Sequence, residues 1–348
     1  MTTMHDPNVL NRRAANGFLG SLIADAIAMP VHWYYDQRAL VRDYPEFAAA
    51  EPAGYLAPKN PHADSILWRS SYTAANPKGE ILHDQARYWG QRGIHYHQFL
   101  AAGENTLNQQ LALELATQVK RDRDYDPERW LDRYVAFMLT PGRHRDTYLE
   151  EYHRHFFTNH AAGRKPINCG VRDVHIGGLV PVPALVAALG PKHPELRRIV
   201  RLHVNLTHKD DEVLEAADIL TRMLVRLCLG DDLRETILDE GRDWISAAKV
   251  REWDKHPDQV VVGSLLSSAC YIPDAFPAAL FLAWRHAGNF AAGVSANARV
   301  GGDNCHRGAV VGALLGASSP IPLGLVAGLQ AHARVEDLFP RSPEDQPA

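Results

Sequence analysis

The sequence has 348 residues, 46% of them hydrophobic and 22% charged, a composition typical of a globular protein with one large domain or two smaller ones. Its 37 basic and 41 acidic residues give a net charge of −4 without a long run of one sign, so we expect no binding to nucleic acid or to an anionic membrane. The 4 cysteines are scattered and form no CxxC pair, which argues against a disulfide framework or zinc knuckle and favours a reducing cytoplasm.

The first predicted helix covers residues 12–29 and ends before Pro30, because the residue preceding a proline avoids helical angles. Asp25 is the one charge inside its apolar run. A buried carboxylate needs hydrogen-bond donors or a cation, so Asp25 is either a structural hub or a residue of the site. Residues 1–11 are polar, so we expect no signal peptide. The sequence contains no run of 18 apolar residues, so we expect no transmembrane helix.

A long segment of low periodicity follows, from residue 51 to residue 93, and is rich in Pro, Asn, Ser, Tyr and Gly. We interpret it as a loop region with short strands around residues 66–68 and 81–83. Loops of this length are uncommon inside compact chains and are often functional, so we expect this one to shape substrate specificity.

The next helix is predicted from leucines that recur every four residues from Leu107, with Asn105 or Thr106 as its N-cap. Asn105 and Asn108 lie on the face roughly opposite the leucines. Such an amide face is either solvated or hydrogen-bonds a polar ligand. We take Asn105, Thr106 and Asn108, together with Asp25, as the candidate substrate-binding residues.

The rest of the chain predicts helices joined by loops, one of which covers residues 169–178, and shows no β alternation. We find no linker and no internal repeat that would divide the chain. The predicted fold is therefore all-α, a single compact helical domain over residues 1–340 with a disordered tail at 341–348. The predicted helices of this part cover residues 127–139, 179–189, 196–206, 212–229, 276–287 and 323–329.

A glycine row marks the segment around which the chain is organised. Gly308, Gly312 and Gly316 recur every four residues beside a row of alanines, so one face of the predicted helix has almost no side chains. Each glycine costs about 1 kcal/mol against alanine inside a helix. Three of them in register predict a central helix against which another backbone packs closely.

The start of this helix carries polar and metal-capable side chains after two glycines. Asp303 or Asn304 is a suitable N-cap. Asp303, Cys305 and His306 would then lie near the rim of the helix N-terminus, where they either present a site or simply begin a buried helix.

Several segments in chain order resemble the ADP-ribosylglycohydrolase family. Residues 20–32 are similar to its opening G-x-x-x-G-D-A-x-G-x-P-x-E, Thr207-His208 to its T-H segment, and residues 301–313 to its G-G-D-T-D-T-x-G-A-x-x-G-A. The resemblance spans most of the chain. It implies an orthogonally packed all-α fold, hydrolysis of an N- or O-glycosidic bond to ADP-ribose, and a pair of magnesium ions that hold the ribose and the attacking water.

The metal-ligand positions depart from that pattern. The family's metal glutamate falls on His32, its T-D-D on residues 106–108, and its D-T-D-T on the segment from Asp303 to His306. Only Asp303 keeps a carboxylate. Two Mg²⁺ ions need hard, anionic oxygen ligands, so we expect the dinuclear magnesium centre to be absent and assign no metal ligand. A single Zn²⁺ or Fe ion remains an alternative, because histidine and Cys305 are softer ligands.

The first function that the sequence supports is a glycoside hydrolase with an altered site, acting on an ADP-ribose-, nucleotide- or nucleoside-like small molecule. Its oxocarbenium-like transition state needs an activated water and a group that protonates the leaving base. Asp303 is the expected base or cation stabiliser. His32 or His306 is the expected acid, because histidine titrates near neutral pH. Asn105 and Asn108 would hold the ribose hydroxyls.

Two other functions remain open at this point. Cys305, close to a helix N-terminus, could act as the nucleophile of a hydrolase or transferase with His32 as its base, or could be a small buried residue. Alternatively, the protein binds a nucleotide-like ligand without catalysis. The sequence assigns no oligomeric state.

Overall fold

The computed structural model describes residues 6–48, 54–60, 66 and 77–340. In these residues the secondary structure is helical, with isolated β-bridges and no strand, which confirms the predicted all-α fold. The strand predicted around residues 81–83 is wrong, because the 3-10 helix His83–Tyr88 starts there. Of residues 66–68 only Ile66 is described, and it forms a bridge with Tyr34. The predicted disordered tail, residues 341–348, lies outside the described residues.

Sixteen α-helices make up the described part of the chain, and short 3-10 helices extend or connect several of them. In chain order they are α1 (Pro7–Ala28), α2 (Gln37–Asp43), α3 (Leu107–Asp122), α4 (Pro127–Leu139), α5 (Glu151–Ala161), α6 (Pro181–Leu189), α7 (Leu196–Asn205), α8 (Asp211–Leu229), α9 (Leu233–Glu240), α10 (Ala247–Trp253), α11 (Asp258–Val261), α12 (Ile272–Arg285), α13 (Phe290–Arg299), α14 (Asn304–Ser318), α15 (Leu323–Gly328) and α16 (His332–Leu338). Helix α12 begins a turn earlier than predicted and contains Pro277 in its interior.

The centre of the fold is the contact between α1 and α14, which pack against each other along much of their lengths. Gly20 of α1 and Gly312 of α14 meet there. A Cβ atom added at either glycine would lie 2.2 Å from the carbonyl oxygen of the other. This confirms that the glycine row of α14 is the place where a second backbone comes close.

Helix α1 is buried in the core. Residues 7–31 are long and apolar enough to span a membrane by composition alone, but they are mostly buried inside the protein. Helices α6, α8, α13 and α14 all pack against α1. A helix that is apolar on every side is expected in such a central position.

The turn before α14 is tied to the segment that follows α1. Gly301 and Gly302 have φ angles of 66° and 67°, a left-handed conformation that glycine adopts without strain. The N–H of Gly302 donates to the carbonyl of Tyr34 at 2.6 Å, and its carbonyl accepts from the N–H of Trp33 at 2.9 Å. Asp303, the next residue, is therefore fixed beside the end of α1.

Arg307 holds the same turn from inside the protein. Its fully buried guanidinium donates to the side-chain oxygen of Asn297 at 2.9 Å and to the carbonyls of Gly301 at 2.7 Å and Ser268 at 3.3 Å. Burial lowers the pKa of Arg307 to about 10, which still leaves it charged at pH 7. The buried cation thus stabilises the backbone that positions Asp303.

Candidate active site

A cavity of about 370 Å³ opens at the N-terminus of α14. Its volume falls in the range of roughly 300–1,000 Å³ that small-molecule sites occupy. The wall combines aromatic rings with ionisable groups. The aromatic residues are Trp33, Tyr35, Tyr148, Tyr152 and Tyr271, and the ionisable residues include Glu150, Glu151, Arg154, His175, Asp303 and His306.

Asp303 lies in this wall with its two carboxylate oxygens in different situations. Oδ1 lies 3.0 Å from Nε2 of His32 and 2.7 Å from Nδ1 of His306. Oδ2 is buried and has no hydrogen-bond partner among the described residues. Burial raises the pKa of Asp303, but the two histidines outweigh it and hold this pKa well below its ordinary value. Asp303 is therefore ionised and keeps one oxygen uncommitted.

His306 is enclosed between two carboxylates. Its Nδ1 faces Asp303, and its Nε2 lies 3.1 Å from Oε1 of Glu150. Burial lowers the pKa of His306, but the charges of Asp303 and Glu150 more than offset this and raise it well above the ordinary value. Burial raises the pKa of Glu150, and His306 outweighs it and lowers that pKa to about 2. In the protein without a bound metal, His306 is thus a fixed cation in the cavity wall.

His32 belongs to a buried chain behind the cavity. Its Nδ1 lies 2.8 Å from Nε2 of His97, and Nδ1 of His97 lies 2.7 Å from Oδ1 of Asp146. Burial lowers the pKa of His32 to about 4 although Asp303 acts in the opposite direction. His32 is therefore uncharged near pH 7 and stands behind the wall, so the structure does not support its expected role as the acid.

Asn108 supports His306 from the side away from the substrate space. Its amide nitrogen lies 2.8 Å from Nε2 of His306, and its amide oxygen accepts from Tyr152 and His153. Because an imidazolium needs an acceptor, we assign the flipped amide to charged His306: its oxygen then faces Nε2 of His306, and its nitrogen donates towards Tyr152 and His153. Asn108 does not line this cavity, and its side chain contacts His306, Tyr152 and His153 instead.

Asp25, Asn105 and Thr106 form a hub that joins α1 to the start of α3. Oδ2 of Asp25 accepts from the Asn105 amide and from the backbone N–H of Thr106, both at 2.9 Å, and Oδ1 accepts from the Thr106 hydroxyl at 2.6 Å. All three residues are buried and none lines the cavity. Their mutual contacts are those of the structural hub considered for Asp25.

Cys305 points away from the cavity towards α1. Its thiol lies 3.7 Å from the backbone carbonyl oxygen of Asp25, and the residue is 1% exposed. Burial raises the pKa of the thiol well above its ordinary value. A reactive cysteine needs the opposite shift, so the surroundings fit the small buried residue rather than the nucleophile.

We expect iodoacetamide to leave Cys305 unmodified in the folded protein, because the thiol is buried and protonated. Peptide mass spectrometry after a timed reaction, carried out on the folded protein and on the protein in urea, would measure this. Labelling of Cys305 as fast in the folded protein as in urea would contradict it. The Cys305→Ser variant is expected to keep whatever activity the protein has.

His175 is a site residue that the sequence analysis left in a loop without a function. Its Nδ1 lies 2.8 Å from Oδ1 of Asp173, and its ring packs on Tyr271 with centroids 5.1 Å apart. Burial lowers the pKa of His175, but Asp173 more than offsets this and raises it. The Asp-x-His spacing was a signal that could have identified this pair.

The loop that carries His175 is fixed on both sides of the ring. The N–H of Ile176 donates to the carbonyl of Cys270 at 2.8 Å, and the N–H of Ile272 donates to the carbonyl of Val174 at 2.9 Å. These two bonds form the bridge between His175 and Tyr271. Glu150, the other residue missed from sequence, immediately precedes α5 and reaches the cavity only through the tertiary fold.

The groups at the predicted magnesium positions do not suit two magnesium ions. His32, Asn108, Asp303 and His306 do converge, but they supply one carboxylate, and the charges of Asp303 and Glu150 are shared with the imidazolium of His306. Two Mg²⁺ ions need more anionic oxygen than this. Two groups of three residues each bring their potential ligand atoms within 4.8 Å of one another. One group is His32, Asp303 and His306, and the other is His32, His97 and Cys305.

Comparison with known proteins agrees with this architecture. The sequence matches the family model described as ADP-ribosylglycohydrolase over residues 6–346. Among solved structures, a chain titled ADP-ribosylglycohydrolase-related protein complex aligns with a TM-score of 0.61 and 23% sequence identity. The alignment covers 95% of this chain and 96% of that chain, so the similarity extends over the whole fold. A search of curated proteins finds no match.

Proposed function

This chain belongs to the ADP-ribosylglycohydrolase family, and from that membership we propose that it hydrolyses a glycosidic bond of an ADP-ribose-, nucleotide- or nucleoside-like substrate. The observation that supports this most is the ionised, buried carboxylate of Asp303, a residue of the cavity wall whose Oδ2 has no hydrogen-bond partner among the described residues. The altered ligand set leads us to derive no step through a pair of magnesium ions.

Asp303 is the proposed general base. His32 and His306 occupy its Oδ1, so Oδ2 is the oxygen that can take a proton from the attacking water. The water oxygen bonds to the anomeric carbon of the ribose while the glycosidic bond breaks. Positive charge builds up on the sugar in this transition state, and the ionised carboxylates of Asp303 and Glu150 stabilise it.

His175 is the proposed general acid, in place of His32 and His306. His306 is held between two carboxylates, whereas the His175 ring forms a single ion pair among the described residues, from Nδ1 to Asp173. Nε2 can then deliver a proton to the leaving group, whose electron pair departs with the broken bond. The groups that act electrostatically on His175 are Asp173, Asp303, Glu151 and His208.

A panel of nucleosides, nucleotides and ADP-ribosyl compounds tests the proposed activity. We expect the purified protein to release free base or ADP-ribose from at least one of them, as measured by chromatography. Thermal stabilisation by such a compound without any turnover would overturn the hydrolase and favour the binding protein. Aromatic rings such as Trp33 and Tyr148, whose centroids lie 5.0 Å apart, give that second function a surface for a base.

Replacement of His175 by glutamine is expected to affect substrates according to how much their leaving groups need a proton. Phenyl riboside, with a basic leaving group, should lose about 10²–10⁴-fold in kcat, whereas 4-nitrophenyl riboside of nearly the same shape should lose little. Steady-state kinetics on the pair measure this. An equal loss on both substrates would show that His175 is not the acid.

The pH profile provides an independent measurement of the same role. The acid form of His175 is the active one, so activity is present at low pH and falls as pH rises through the raised pKa, above the ordinary 6.5. His175→Gln should abolish this alkaline decrease. Asp173→Asn should move it to lower pH, because the carboxylate no longer favours the imidazolium.

A further inference from the structure

Three side-chain atoms meet at one point beside the cavity. Nε2 of His32 and Nδ1 of His306 both face Oδ1 of Asp303, at 3.0 and 2.7 Å, and all three atoms lie within 4.8 Å of one another. The second oxygen of Asp303 is buried without a hydrogen-bond partner among the described residues. His32 and Asp303 are each 1% exposed, and His306 is 3% exposed. Such a set of buried, converging nitrogen and carboxylate donor atoms has the composition of a transition-metal site.

The hydrogen bonds behind His32 are compatible with a tautomer in which the lone pair of its Nε2 faces Asp303. Asp146 is a carboxylate that already accepts from the N–H of Leu107 at 2.7 Å, so Nδ1 of His97 donates to it. With a neutral His97, Nε2 of that ring accepts from Nδ1–H of His32. A neutral imidazole has one N–H, which leaves the Nε2 lone pair of His32 and the oxygen of Asp303 as two acceptors 3.0 Å apart.

His306 gives up one of its two protons when it binds a metal, and it then repeats this arrangement on the other side. Its Nε2 lies 3.1 Å from Glu150, so its second nitrogen, Nδ1, is the one directed at Asp303. Histidines that bind a metal characteristically donate their remaining N–H to a carboxylate or to another acceptor, which orients the ring. His306 has Glu150 for this purpose, and His32 has His97 with Asp146 behind it.

We propose that His32, Asp303 and His306 bind a single divalent transition-metal ion, Zn²⁺ or Fe²⁺, in place of the magnesium pair of the family. Two imidazole nitrogens and one carboxylate are ligands that suit these ions, whereas Mg²⁺ prefers an all-oxygen shell. Asp303 and His306 also line the cavity, so the open coordination positions would face the substrate space. The inference does not depend on hydrolysis, since metal binding is measured without turnover.

Metal content of the full-length protein tests the site. The chain is stripped with a chelator, dialysed against Zn²⁺, Fe²⁺ under anaerobic conditions, or Mg²⁺, and analysed by inductively coupled plasma mass spectrometry. We expect one Zn²⁺ or Fe²⁺ per chain, a higher thermal midpoint with that ion, and no tightly bound Mg²⁺. Two bound Mg²⁺ ions per chain, or no retained metal, would overturn the proposal.

Variants distinguish this ligand set from the second one, which contains Cys305. Asp303→Asn should abolish retention of the ion, and His97→Gln, which removes only a support of His32, should weaken affinity by about 10–100-fold. Cys305→Ser should leave it unchanged. Cobalt substitution gives a spectroscopic check that works without activity: a thiolate charge-transfer band, lost in Cys305→Ser, would overturn the assignment to Asp303.

A metal-bound protein that hydrolyses no riboside would leave this site supported and overturn only the proposed function. Conversely, suppose that the protein retains no ion after dialysis and still hydrolyses a substrate. That result would support the hydrolase and overturn the metal site. Circular dichroism of each variant shows whether it is folded. If Asp303→Asn does not fold, His97→Gln still tests the site, because it keeps all three proposed ligands.

Discussion

Asparagine in place of Asp303 is expected to lower kcat for glycoside hydrolysis by about 10²–10⁴-fold, the range for loss of a general base. The amide has nearly the shape of the carboxylate, so the turn at Gly301 and Gly302 should be kept. The amide cannot take a proton from water, and it cannot balance the charge of His306. Steady-state kinetics on the best substrate of the panel measure the loss.

The matched control for this change is Asp132→Asn on α4, an exposed aspartate outside the cavity wall. It should keep the kcat of the unaltered protein. If Asp303→Asn kept more than a tenth of the original kcat while folding normally, Asp303 would not be the base. A change in thermal midpoint alone, with kcat preserved, would assign Asp303 a structural role.

Alanine in place of Gly312 is expected to destabilise the protein by about 3 kcal/mol, the upper part of the usual range for overpacking. The new Cβ would lie 2.2 Å from the carbonyl oxygen of Gly20 and 2.7 Å from Cβ of Ala24. Neither neighbour is the end of a flexible side chain, so α1 and α14 must move apart. Urea denaturation followed by circular dichroism gives the free energy of unfolding.

Gly324→Ala is the control for this second change. Gly324 lies in helix α15, and a Cβ added there would meet nothing within 4 Å. Helix propensity favours alanine over glycine by about 1 kcal/mol at both positions, so the control should be neutral or slightly stabilising. A lower free energy of unfolding for Gly312→Ala, together with an unchanged or higher one for Gly324→Ala, would isolate the steric effect. A stabilised Gly312→Ala protein would refute the close contact.

The sequence predicted what depends on local spacing. The four-residue recurrence of Gly308, Gly312 and Gly316 indicated a helix with a bare face, and that face is where α14 meets α1. The spacing at the start of α14 also predicts which side chains share a face. Residues three apart on a helix share a face, so Asp303 and His306 could have been placed together and Cys305 on another side.

What the sequence could not provide was the approach of distant segments. Glu150 and His175 reach the cavity from loops that have no periodicity, and only the packed helices decide where those loops lie. Asp25 shows the same limit. Its carboxylate was recognised as needing donors, but the donors are Asn105 and Thr106, which only the fold brings beside α1.

The contact between α1 and α14 also determines when the protein can acquire its structure during synthesis. Helix α1 leaves the ribosome before α14, which follows much later in the chain. Contacts of such wide sequence separation form late, because a long stretch of chain must be ordered before they are gained. A growing or truncated chain that lacks α14 therefore displays the apolar surface of α1 without its main partner, and we expect such a chain to aggregate more readily.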